Sequence, residues 1–196
     1  MSETSISLLD RLQQGPHASS WQHMVDVYTP LIRNWLRRYS LQDQDVEDLV
    51  QEVLSVVVRK LPDFKRKAQT GSFRRWLRNI TVNCLRDFWR AQRFQPQATG
   101  AGKDGFGQIL DQLEDPDSAL SQLWDKEHDE HVTRRLLEMV RPRFEAKTWQ
   151  AFQRVALEGA PVDQVAQELG LSVNAVFIAK SRVVHMLRQE GAGLIE

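Results

Sequence analysis

Val165-Ala166-Gln167-Glu168-Leu169-Gly170-Leu171-Ser172-Val173-Asn174-Ala175-Val176 is the stretch of this 196-residue chain that reads most sharply. A helix-turn-helix needs a small residue where two helices cross, a glycine that tolerates a left-handed turn, and apolar residues at fixed steps to lock the pair. Ala166, Gly170 and Val176 meet those needs, Val165, Leu169, Leu171 and Ala179 supply the other core positions, and Ser172 caps the second helix. Two packed helices without a nucleic-acid role would share part of this pattern, but the combination of small residue, glycine and cap is rarer. If the motif binds DNA, the helix from Val173 to about Gln189 enters the major groove and presents Asn174, Phe177, Ile178, Lys180, Ser181 and Arg182 outward. Arg182 suits a bidentate contact to guanine, Asn174 and Lys180 reach bases or phosphate, and Phe177 or Ile178 suits a thymine methyl; His185 reads as a solvated side chain before a contact to the DNA backbone.

Outward from this motif the chain reads as helical throughout. Trp21, Val25, Tyr28, Ile32, Trp35 and Tyr39 recur at steps of four and three and predict a helix over about 19–40. A second helix is predicted from Asp43, its expected N-cap, to Leu61, with Val46, Leu49, Val50, Val53 and Val57 inward and Pro62 as the stop. Ser72 is the expected cap of a third, in which Phe73, Trp76, Leu77, Ile80, Cys84 and Phe88 face inward. Periodicity then lapses between Ala91 and Pro116, where glycines and Pro96 predict a flexible linker. Asp115-Pro116 reads as a helix start, followed by segments over about 116–140, 144–157 and 161–169. No segment alternates at period two long enough for a strand, so the expected fold is all-α, two small helical domains joined by a flexible acidic linker.

Composition limits the function classes. No apolar run approaches a membrane span, the first ten residues lack a signal-peptide pattern, and the expectation is a cytoplasmic protein. Cys84 is the only cysteine, so no internal disulfide or cysteine-rich zinc cage is possible, and its place in an apolar stripe predicts a core position. Net charge is zero, yet Phe64 to Arg93 holds nine basic residues and one acid, whereas Pro96 to Val140 holds ten acids and four bases. Neutrality is a cancellation between segments, as expected of one nucleic-acid face and one acidic connector.

Two surfaces stand out in the N-terminal module. Asp45, Asp48 and Glu52, with Gln51 and Ser55 beside them, form an acidic ridge opposite the valine stripe. A plain solvated helix face satisfies the same spacing. Asn79, Asn83, Arg86 and Arg90, adjoined by Arg75, Arg78, Trp76 and Phe73, form a basic, amide-rich face beside aromatics, which suits single-stranded bases and their phosphates.

The run Asp45-Val46-Glu47-Asp48-Leu49-Val50-Gln51-Glu52-Val53 resembles region 2.2 of the extracytoplasmic-function (ECF) subfamily of sigma-70 family RNA polymerase sigma factors. Ser72-Phe73-Arg74-Arg75-Trp76-Leu77-Arg78-Asn79-Ile80-Thr81-Val82-Asn83 resembles their regions 2.3 and 2.4. The order of modules matches too, and the resemblance implies an N-terminal extension (1–18), a sigma-2 domain (19–93), a linker (94–124), a sigma-4 helix-turn-helix domain (125–190) and a tail (191–196).

The resemblance further implies that Asp45, Asp48, Gln51 and Glu52 dock on core polymerase. Lys65, Arg66 and Lys67 lie in a loop that captures a flipped minus-ten base, while Arg75, Trp76, Arg78, Asn79, Asn83, Arg86 and Arg90 meet the melting strand. Asn174, Phe177, Lys180, Ser181 and Arg182 fall where the family reads the minus-35 element. Many members carry a Lys-Ser-Arg triplet directly after the valine matching Val176; here Lys180-Ser181-Arg182 lies three residues later, so base specificity stays open.

The implied partners are core RNA polymerase, through its beta-prime and beta subunits, promoter DNA and, as an optional further partner, an anti-sigma factor. No catalysis, cofactor or metal is implied. A helix-turn-helix regulator acting without polymerase is the rival reading. An enzyme would have only Glu127, His128, Asp129, Glu130 and His131 to offer, read as a solvated face although the two histidines can face one way.

Overall fold

A computed structural model of the chain describes residues 7–15, 18–39, 41–65, 72–92 and 103–195. Among them the expected all-α architecture is found, and no strand occurs. The chain divides into two compact units, one built on Leu8–Val132 and the other on Thr133–Ala192.

The first unit contains α1 (Leu8–Gln14), α2 (Ala18–Leu36), α3 (Asp43–Lys60), α4 (Ser72–Gln92), α5 (Lys103–Glu114) and the first part of α6 (Ala119–Val140). Helix α3 follows the sequence closely. Its buried residues are Val46, Leu49, Val50, Val53 and Val57, while Gln42 takes the N-cap position and Asp43 the first helical turn. An acid there still complements the helix dipole. Leu61–Asp63 closes the helix as a 3-10 turn with Pro62 inside it.

The buried face of α2 is broader than one stripe, with Met24, Val27, Tyr28, Leu31, Ile32, Trp35 and Leu36 all buried. Trp21 and Val25 are only half-buried. On α4 the fully buried apolar positions are Phe73, Leu77, Ile80, Val82, Leu85 and Trp89. Trp76, Cys84 and Phe88, expected inward, are half-buried at the margin of the core. Burial pushes the Cys84 thiol up to about 11, helped by the carboxylates of Glu52 and Asp87.

Two helices occupy places where none was expected. Helix α1 seals the bundle with Leu8, Leu9 and Leu12, and Gln13 Nε2 donates to the carbonyls of Leu61 at 3.2 Å and Phe64 at 2.6 Å. Helix α5 stands within the expected linker, with Leu113 fully buried and Ile109 and Leu110 half-buried. Asp115-Pro116 does not open α6. It forms a turn, in which Asp117 N–H donates to Asp115 Oδ1, and Ser118 caps the helix by accepting from Ser121 N–H at 3.1 Å.

The second unit holds the last two turns of α6, α7 (Ala146–Phe152) continued by a π turn (Gln153–Leu157), α8 (Val162–Leu169) and α9 (Val173–Gly191). Ala151, Val165, Ala166, Val176 and Ala179 form one core cluster, with Leu169 and Leu171 packed against it. Val140, Trp149, Phe152 and Val183 form another. Gly170 is left-handed, at φ 63° and ψ 41°, and the helix end is a Schellman motif: Leu171 N–H donates to Ala166 O at 2.9 Å and Gly170 N–H to Gln167 O at 3.3 Å. Ser172 Oγ then accepts from Ala175 N–H at 3.1 Å. The helix-turn-helix geometry is therefore present as read.

Candidate nucleic-acid interface

On α4 the side chains of Arg75, Asn79, Asn83 and Arg90 are exposed on one face, with Arg86 half-buried among them and donating to Asn83 Oδ1 at 3.0 Å. Steps of three and four place them in a row because the opposite face, Phe73, Leu77, Ile80 and Leu85, is consumed by the core. Trp76 is half-buried at one end of this row, where its ring packs 4.9 Å from Phe64 and 5.5 Å from Phe73 by centroids. Phe64 thus pins the base of the loop to α4. Lys65 is exposed beside it, whereas Arg66 and Lys67 lie outside the described residues.

Arg78 is not part of this row. Its side chain is 1% exposed, its Nη1 lies 2.7 Å from Asp125 Oδ1 and donates to Ser121 O at 3.3 Å, and its Nε finds no partner among the described residues. Desolvation holds its pKa below the usual guanidinium range, against the pull of Asp125. Arg74 is engaged in the same way, Nε 3.3 Å from Asp125 and Nη1 2.6 Å from Asp129. In this structure both guanidiniums face α6 rather than solvent.

The expectation of a solvated face over Glu127 to His131 is therefore corrected. Ser121, Trp124, His128, His131 and Val132 are buried at helical spacing. Trp124 meets Trp35 edge-on with centroids 4.4 Å apart, His131 Nε2 donates to Val27 O at 2.7 Å, and His128 lies between Tyr28 Oη at 3.3 Å and Asp129 at 3.0 Å. Burial works to raise the Asp129 carboxyl, but the hydrogen bond from His128 and the charge of Arg74 outweigh it and hold it below the usual range. The histidines face one way, as read, yet they bond to the bundle. No cluster of three or more metal-ligating side chains occurs among the described residues.

Residues that sequence reasoning missed are thus the acids across from α4: Asp125 and Asp129 on α6, and Glu114 on α5, which pairs with Arg86. The plus-eight and minus-six segments were a usable signal, since opposite charge so close in sequence can be satisfied within the chain.

On α3 the acidic ridge is presented to solvent. Asp48, Gln51 and Glu52 are exposed and Asp45 half-buried, with Glu52 3.7 Å from Arg59. Asp48 and Glu52 border a groove of about 640 Å³ whose other wall includes Asn83, Cys84 and Phe88 of α4. Asn83 of the basic row thus lines the same groove as Asp48 and Glu52 of the ridge. Glu47, on the flank, is spoken for: Arg33 grips it through Nε at 2.5 Å and Nη2 at 2.7 Å, and that fork holds the carboxyl below its usual range.

In the second unit α9 exposes Asn174, Phe177, Ile178, Ser181 and Arg182, with Lys180 half-buried. Phe177 is 53% and Ile178 50% exposed, so two adjacent apolar side chains are presented outward on α9. Ala179 is buried at 6%, so the register that keeps it inside the motif is the one adopted.

No helix among the described residues is long and apolar enough to cross a membrane. No curated protein matches the chain. Residues 24–95, which run from within α2 to just past α4, match the family model described as Sigma-70 region 2. The helices that carry the acidic ridge and the basic row thus lie within a stretch similar to sigma-70 region 2, a likeness that supports a sigma-factor role in transcription initiation.

Proposed function

We propose that the chain is an ECF-type sigma factor that binds core RNA polymerase, selects promoters and assists melting by holding the opened strand. Asp45, Asp48, Gln51 and Glu52 dock on the polymerase, and their common exposed ridge supports that role. Arg75, Trp76, Asn79, Asn83, Arg86 and Arg90, with Lys65 at the loop base, take the minus-ten strand. The loop arginine and lysine, Arg66 and Lys67, belong to the same proposal by resemblance. The observation that carries it is the exposed row of arginine and amide side chains on α4 inside a stretch similar to sigma-70 region 2, beside a half-buried tryptophan. Such a row neutralises phosphates while the ring offers a stacking surface.

The helix-turn-helix of the second unit reads the minus-35 duplex through Asn174, Phe177, Lys180, Ser181 and Arg182. Its exposed aromatic and cation near the start of α9 support this. The work is binding and strand capture, with binding energy spent on the melted state.

Reconstituted transcription tests the proposal. Core polymerase with this chain initiates at a defined set of start sites that core alone does not use. A chain that fails to bind core yet binds a palindromic duplex tightly would instead be a regulator acting without polymerase.

A further inference from the structure

Helices α5 and α6 both place acids against α4, but they are held very differently. Helix α6 is anchored by Trp124, His128 and Val132, each 0% exposed. Releasing it would expose a tryptophan and break the Arg78–Asp125 pair in a buried setting. Among its described side chains helix α5 has one that is fully buried, Leu113. Its end is fastened by the Arg86–Glu114 ion pair and by Ser118 and Ser121, whose hydroxyls donate to Gln112 O.

Between α5 and α4 a cleft of about 420 Å³ stays open, lined by Arg86, Trp89 and Arg90 on one side and Gly107, Leu110, Asp111 and Glu114 on the other. A close-packed helix pair leaves no such space. Asp111 and Glu114 of α5 therefore face Arg86, Arg90 and Trp89 across this cleft, the same set of groups that binds a single strand.

We propose that α5 is a displaceable strap, covering Arg86 and Trp89 in the free chain with Glu114 standing where a strand phosphate would sit, and that a nucleic-acid strand exchanges with it. This rests on reading the α4 face as the strand-binding surface. The linker then regulates access to that face, because the free chain holds single strands weakly and the full row becomes available once α5 lifts.

Fluorescence anisotropy with a labelled single strand of about 15 mixed nucleotides, on the full-length chain, tests it. Glu114→Gln removes the phosphate mimic and Leu113→Ala the anchor. Each is expected to tighten binding about three- to tenfold, and each phosphate newly met steepens the log–log salt dependence by about 0.7. Adding Arg86→Ala to Glu114→Gln returns affinity to the starting value. Unchanged affinity and salt slope in both single variants, with helical circular dichroism intact, would overturn the strap, and so would a gain that survives Arg86→Ala.

The underlying reading is tested apart, with Arg75→Ala and Asn79→Ala in reconstituted holoenzyme on a pre-melted promoter. Weakened strand binding there alongside inert strap variants sinks only the strap. Unweakened binding sinks the reading of the face beneath it.

Discussion

Gly170 sits in the left-handed region with open space around its missing Cβ, so a side chain there would meet no neighbour and only backbone strain is at stake. Gly170→Ala should therefore cost about 1–2 kcal/mol of the second unit's stability, read by urea unfolding. Ser172→Ala, which removes the cap of α9, should cost about 1 kcal/mol in the same assay. Both positions were legible in the sequence because the requirement is local: a turn of this geometry needs a residue without a Cβ penalty, and a helix start needs an acceptor. Arg182 differs in kind. It is exposed on α9, and Arg182→Ala should leave stability unchanged while weakening promoter binding by about 1–3 kcal/mol if it takes a base in bidentate fashion, measured by gel shift of the holoenzyme.

Helix α6 shows where element-level reading stopped short. Its inner stripe is Ser121, Trp124, His128, His131 and Val132, and the spacing is helical, but a hydrophobic count skips serine and histidine. The stripe exists because Tyr28, Val27 O and the α4 arginines offer partners to those polar groups, which only the packed bundle supplies. Trp124→Ala should cost about 3–5 kcal/mol in the first unit, seen in urea unfolding followed by helical circular dichroism.

Asp129 adds a pH dependence to the same contact. Its folded pKa lies below the unfolded one, so its contribution is present above the ordinary carboxylate range and is lost as pH falls through that range and below. The Tm of the wild type should drop with acidification in that window, and Asp129→Asn should flatten that part of the curve. Helices α1 and α5 escaped for related reasons. Seven residues are too few to display a period, and the glycines of 100–107 lower helix propensity until packing of Leu113 overrides it.

At the scale of the molecule, charge is the organising quantity. Net zero conceals a basic helix and acidic helices, and part of that opposition is spent within the first unit through Arg74, Arg78 and Arg86. What stays exposed is Asp48, Gln51 and Glu52 on the α3 ridge and Arg75, Asn79, Asn83 and Arg90 on the α4 row. Asp48→Lys with Glu52→Lys should abolish binding to core polymerase, measured by co-purification, while circular dichroism stays unchanged because both side chains are exposed. Retained core binding would reassign the ridge to a plain solvated face.

The sequence by itself determined the all-α class, the helix-turn-helix and the α3 and α4 surfaces, since periodicity, turn chemistry and motif spacing are local properties of the chain. Tertiary structure alone decided which arginines of α4 remain available, that a histidine-bearing stripe is buried and that the linker contains helices. Those outcomes depend on what lies across the contact, and desolvation and pairing are properties of two surfaces rather than one.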